Sequence, residues 1–265
     1  MSRAGRRNAA PTAAPGDRDG DGDEEARFLA KYDPSAFERL SVAVDIALIS
    51  AFDGDLYTLL HRRREHPFKD RWSLPGGFVR PDESLEQAAT RLLAAKGGLS
   101  QVFLEQLYTF GAPGRDPRTR VVSVAYYALV DKARFVDAGA HGDDVITPRI
   151  RVPWAGETGG SVQTLGRDGR PLPLAFDHAD ILGTAVKRLR GKLDYAPIGF
   201  QMLGETFTLL ELQRIHEIVL GRSVNKDSFR RRMLASGLLK PTGRAQTGVG
   251  HRPAELYRFV RKSAI

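Results

Sequence analysis

Val42, Val44, Ile46 and Leu48 alternate with smaller or polar residues, the two-residue period of a half-buried strand. Asp53-Gly54 then signals a tight hairpin, with residues 56–61 as the partner strand. Ser84 and Gln87 stand at capping-box spacing, and Leu85, Ala88, Ala89 and Leu92 fall on one helical face until Gly97-Gly98 stops the helix. A charged loop, GAPGRDPRTR at 111–120, leads into the strand VVSVAYYALV. A further hairpin is expected around 166–170, and Asp177 is placed to cap a helix running through Lys187 to about Leu193. This mixture predicts an α/β or α+β domain over residues 38–193.

The pattern then changes. Residues 194–206, with Pro197, Gly199 and Gly204, are expected to form a linker. Thr208 and Glu211 frame a second capping box, and Leu212, Ile215 and Val219 share a face before Gly221. A shorter helix starts near Asn225, carries Phe229 and Met233 inward at i and i+4, and ends by Gly237; a glycine-rich hairpin follows. Helix, short turn, helix and hairpin is the order of a winged helix-turn-helix, expected over 207–262. Residues 1–30 are rich in Ala, Pro, Gly, Asp and Arg without an apolar core, so a disordered leader is expected there and not a signal peptide.

Composition narrows the chemistry. The 265 residues include no cysteine, which excludes disulfides and thiolate zinc sites and fits a cytoplasmic protein; six histidines lack ligand spacing. No apolar run is long enough to span a membrane. Net charge is +8, and residues 222–262 alone carry eleven basic against two acidic side chains, so the rest of the chain nearly cancels. A basic C-terminal unit on a neutral body points to a polyanionic partner.

The stretch GGFVRPDESLEQAATRLLAAKGGL, preceded by WSLP, resembles a Nudix box. Gly77, Glu83, Arg91, Leu93, the Gly97-Gly98 pair and Leu99 keep its frame, while its three metal-binding glutamates fall on Leu92, Ala95 and Lys96. Carboxylates at i, i+3 and i+4 would converge on Mg²⁺; leucine and alanine offer no ligand, and Lys96 would repel the cation. The resemblance therefore implies the Nudix α/β/α sandwich without a metal or catalytic residues. In the family, the matches to Glu83 and Arg91 form an ion pair that fixes the loop on the helix.

Arginines at 62, 63 and 64 and at 115, 118 and 120 suit a diphosphate. GRDPR followed by VVSVAYY is similar to ADP-ribose-handling Nudix proteins. The candidate ligand-binding residues are Arg62, Arg64, Phe78, Glu83, Lys96, Arg115 and Arg118, with Lys96 standing in for the lost metal's charge. On the second C-terminal helix and its wing, Asn225, Lys226, Ser228, Arg230, Arg231, Arg232, Arg244 and Arg252 are candidates for DNA contact, with His251 beside them.

Together the two halves resemble the Nudix-related transcriptional regulators of NrtR type. YDPSAFERLSVAVDIALIS, PLAFDHADILGTAVKRLRGKLDY and FTLLELQRIHEIVLGRSVNKDSFRRRML each carry the likeness. The resemblance implies an α+β chain that represses NAD-synthesis genes, binds palindromic operators as a homodimer, and releases DNA when ADP-ribose or a related effector binds. A Mg²⁺-dependent ADP-ribose pyrophosphatase is the enzymatic alternative. A protein-docking winged helix on an inert Nudix scaffold is a third.

Overall fold

The computed structural model describes residues 19–140, 142–248, 250 and 253–260. The described residues up to 39 form one compact unit and those from 40 onward another. In the first, α1 spans Asp19–Lys31, at the end of the segment expected as a disordered leader; residues 1–18 lie outside the described residues. An Asp23–Arg27 pair one turn apart and Lys31 in the last turn suit a helix. A 3-10 turn, Pro34–Ala36, follows, capped by the Asp33 carboxylate.

The second unit opens with β1 (Ser41–Phe52), β2 (Asp55–Thr58), β3 (Leu60–Arg62), β4 (Trp72–Ser73) and β5 (Gly76–Phe78), then α2 (Leu85–Gly97). It continues through β6 (Phe103–Phe110), β7 (Val121–Leu129), α3 (Lys132–Gly139), β8 (Val145–Ile146), β9 (Arg149–Arg151), β10 (Gln163–Leu165), β11 (Pro171–Leu172) and α4 (His178–Lys192). The main sheet runs β11-β10-β9-β2-β1-β7-β6, with β5 also paired to β1; a small sheet runs β4-β3-β8. β1 and β7 are parallel, and among the described residues every other strand-to-strand pairing is antiparallel. The expected single strand at 56–61 breaks at Leu59, sending β2 to the main sheet and β3 to the small one.

β1 is buried on both faces from Ala43 to Ala51, not half-buried. Val44, Ile46 and Leu48 pack with Ala88, Ala89 and Leu92 of α2 and Phe135 of α3. Ala47, Ile49 and Ala51 pack on the opposite side with Ile181, Leu182, Ala185, Val186 and Leu189 of α4. The small residues that suggested a solvent face are small because α4 lies close. Each larger apolar side chain buried there contributes about 1.5–3 kcal/mol. Helices on both faces make an α/β/α sandwich.

The chain then forms a 3-10 turn (Pro197–Met202), α5 (Leu209–Leu220), α6 (Lys226–Ala235), β12 (Leu239–Ala245) and β13 (Glu255–Phe259). The 194–206 segment expected as a linker places Ile198 and Met202 in the sandwich core and Phe200 in the winged-helix core. α5 is divided in the same way. Ile215 and Val219 join the α4 core, while Leu209 and Leu212 pack with Phe229, Met233 and Tyr257. Both capping boxes form as expected, at Ser84/Gln87 and Thr208/Glu211.

Candidate functional site

A cleft of about 490 Å³, including its open mouth, lies where β1, β5, α2, the 111–120 loop and the start of α4 meet. Asp45 sits at its floor, a buried carboxylate in a strand that is otherwise apolar around it. Ser123 Oγ donates to it at 2.6 Å, and Arg115 Nη2 lies 3.3 Å away. β5 reaches this carboxylate only because residue 76 is glycine: a Cβ there would stand 2.3 Å from Asp45 Oδ1. His178 accepts the Leu74 N–H on Nδ1 at 2.9 Å, which leaves the proton on Nε2, 3.5 Å from Asp45. Burial pushes the His178 pKa down, so the ring is neutral.

Arg115 is only 4% exposed and makes a two-point ion pair with Asp177, at 2.9 and 2.6 Å. Arg118 is held by Asp116 in the same way and lies over the Phe78 ring at 5.5 Å. The Arg118 hydrogen bonds hold the Asp116 carboxyl below the usual range. Arg63 rests on Phe176 at 4.8 Å. Four cations (Arg63, Lys96, Arg115, Arg118) against two carboxylates (Asp45, Asp116) leave the lining with surplus positive charge, which suits an anionic ligand.

The cleft does not fit a divalent cation at the Nudix positions. Leu92 is buried against Gly77, where a Cβ would stand 2.9 Å from Leu92 Cδ2. Ala95 offers no donor atom. Lys96 projects its ammonium into the cleft and donates to the Gly76 carbonyl at 2.5 Å. Burial pushes the Lys96 pKa down against the pull of Asp45. Asp116, whose two oxygens are taken by Arg118, is no substitute ligand.

Of the residues expected from sequence, Phe78, Lys96, Arg115 and Arg118 meet in this cleft. Arg62 and Arg64 are not among its lining residues and pair instead with Asp70 and Asp144. Glu83 is likewise outside the lining: Arg91 grips it, the Arg80 N–H donates to it, and Arg91 also reaches the Phe78 carbonyl. The Arg91 hydrogen bonds bring the Glu83 pKa down to about 2. Sequence reasoning missed Asp45, His178 and Phe176. A lone carboxylate in an apolar strand is the signal that could have found the first.

The basic surface lies on the winged helix. Asn225 caps α6, its side chain accepting the Ser228 N–H at 2.9 Å. Phe229 and Met233 are buried, and Arg231 projects about 180° around the helix from their seam. Lys226, Ser228, Arg230 and Arg231 are exposed, as is Arg244 on β12. Arg232 pairs with Asp194 at 3.4 Å and lies over Phe229. His251 and Arg252 lie outside the described residues.

Residues 39–151 match the NUDIX domain, and residues 199–259 match the NrtR DNA-binding winged helix domain. The chain is 38% identical over 238 residues to the ADPR responsive transcriptional repressor NtrR of Acinetobacter baylyi, covering 89% of this chain and 88% of that protein. The chain belongs to the NrtR family. The crystal structure of Shewanella oneidensis NrtR complexed with a 27mer DNA matches with a TM-score of 0.68 at 36% identity, covering 83% of this chain and 93% of that one. An ADP-ribose pyrophosphatase of Methanocaldococcus jannaschii is 30% identical over 156 residues, 59% of this chain and 78% of that enzyme. The NrtR assignment agrees with the expectation from sequence, as does the order of a Nudix domain followed by a winged helix.

Proposed function

We propose that this chain is a DNA-binding transcriptional repressor whose Nudix-like domain senses ADP-ribose, or a related NAD-derived nucleotide, without cleaving it. The observation that carries this reading is Lys96, whose ammonium occupies the cleft in a position the Nudix pattern reserves for a metal-binding carboxylate. Such a site keeps a cationic receptor for a diphosphate and lacks the means to activate water through Mg²⁺. The repressor name of the Acinetobacter relative and the DNA complex of the Shewanella relative support the same reading.

On this reading α6 enters the major groove, with Arg231 toward the bases and Lys226, Arg230 and Arg244 along the phosphates. A cytoplasmic homodimer on a palindromic operator would place two such helices about 34 Å apart. Genes of NAD synthesis are the proposed targets. Nucleotide weakens DNA binding by its affinity difference between the free and DNA-bound geometries, and by no more than that.

The test is fluorescence anisotropy of a labelled promoter duplex from a NAD-synthesis gene, with and without ADP-ribose. Tight, salt-dependent binding weakened by ADP-ribose is expected; binding no tighter than to a scrambled duplex would overturn the reading. The pyrophosphatase relative motivates a second assay, AMP release from ADP-ribose with Mg²⁺. None is expected, and turnover would restore the hydrolase reading.

A further inference from the structure

α4 joins the two sites physically. Its first turn lines the cleft through His178, preceded by Phe176, which is held at φ +53°, a left-handed conformation costly for a phenylalanine. Its last turn carries Arg190 and Lys192, about 22 Å away along 15 residues. Between these ends, Ile181, Leu182, Ala185, Val186 and Leu189 are fully buried. Gly183 passes so near the 160 loop that a Cβ would stand 1.9 Å from the Gly160 carbonyl oxygen. A helix packed so closely moves as a body or not at all.

Both ends are held by arginines. At the cleft, Asp177 is the N-cap residue of α4, yet its carboxylate accepts no helix N–H. Both oxygens go to Arg115 instead. An N-cap aspartate ordinarily satisfies N–H groups of the first turn. Here the His178 and Asp180 N–H groups already donate to the Ala175 and Asp177 carbonyls, so the Ala179 N–H is the donor that competes with Arg115 for the Asp177 carboxylate. Arg115 has competing acceptors too, because it lines the cleft in which an anion would sit. At the far end, the buried Arg190 donates to the Val219 carbonyl in the last turn of α5 at 2.8 Å, and to the carbonyls of Trp154 and Gly156. A Cβ at Gly221, the C-cap of α5, would stand 3.0 Å from Arg190 Nη2. α5 leads within five residues to α6.

We propose that the diphosphate of a bound nucleotide takes Arg115 from Asp177, that Asp177 then turns to cap α4, and that the resulting shift of α4 passes to α5 and α6 through Arg190. This relay rests on the sensor reading and specifies how the cleft regulates the DNA-binding face. Asp177 supplies the two arrangements that coupling requires, one paired with Arg115 and one capping the helix. Arg190 is a positioning residue that touches neither ligand.

The experiment measures the coupling factor, the ratio of DNA Kd with saturating ADP-ribose to that without, in the full chain. Asp177→Asn removes the competitor for Arg115. It should tighten ADP-ribose binding, weaken DNA binding in the absence of nucleotide, and cut the coupling factor at least about fivefold. Arg190→Lys should leave ADP-ribose affinity for the DNA-free protein unchanged while cutting the coupling factor to a similar extent, which a merely stabilising role would not do. If Asp177→Asn does not fold, Arg115→Lys, which keeps the charge and loses the two-point grip, takes its place with the same expected loss of coupling. Variants that fold and couple as the wild type does would overturn the relay and leave the sensor reading standing. A wild-type protein whose DNA binding ignores ADP-ribose would overturn both.

Discussion

The cleft and the α6 face are both rich in arginine, and they use it in opposite ways. In the cleft Arg115 and Arg118 are each gripped by a carboxylate through two hydrogen bonds, and Arg115 is almost wholly buried. On α6 and β12, Lys226, Arg230, Arg231 and Arg244 are exposed and make no ion pair among the described residues. Cations oriented by carboxylates, yet in excess over them in the lining, suit recognition of a small anion by geometry. Free cations give affinity for a polyanion, with register set by the helix that carries them, and are screened by salt.

That contrast is broken most directly by Arg230→Ala combined with Arg231→Ala. DNA affinity should fall about 100-fold or more and the salt dependence flatten, with ADP-ribose affinity unchanged, as anisotropy and calorimetry would read.

The next effect is on stability in acid, and it sharpens the comparison because each region hides a neutral histidine. Burial pushes His216, packed on Phe229 beneath α6, down to about 4. The unfolded chain takes up that proton near pH 6.5, so between 6.5 and 4 the unfolded state binds more protons. Stability is therefore full above pH 6.5 and falls as pH drops toward 4, by up to about 3 kcal/mol from His216. Urea midpoints against pH should show this slope. His216→Leu should reduce it and leave the part due to His178, which is also shifted down by burial.

Smaller again is Lys96→Glu, which reverses one charge in the cleft. ADP-ribose affinity should fall about tenfold or more while DNA affinity without nucleotide stays the same. Unchanged nucleotide affinity would remove Lys96 from the site. The smallest effect is expected for Arg62→Ala and Arg64→Ala. Their partners, Asp70 and Asp144, hold them outside the lining, so nucleotide affinity should change less than about twofold and stability by about 0.5 kcal/mol or less.

What was legible in the sequence was local. The capping boxes at Ser84/Gln87 and Thr208/Glu211, the Asp53-Gly54 turn and the Phe229/Met233 pair depend on neighbours within four residues. The winged helix followed from the order of such elements. What escaped was set by distant parts of the chain. β1 reads as half-buried because its alanines are small, and only α4, more than 120 residues on, explains them. Asp45 gains meaning from Ser123, Arg115 and His178, none nearby in sequence. The arginine run at 62–64 could not reveal that Arg63, whose partner Phe176 lies far along the chain, faces the cleft while its neighbours do not. The 194–206 segment looked like a tether by its proline and glycines, yet its apolar side chains join two cores. That continuity of packing is the physical link on which the proposed relay rests.

The most direct test of that link is calorimetric titration of ADP-ribose into the free protein and into the protein saturated with operator DNA. Reciprocal coupling predicts weaker binding to the DNA complex, by the same factor with which ADP-ribose weakens DNA binding. Equal affinity for the two forms would contradict it.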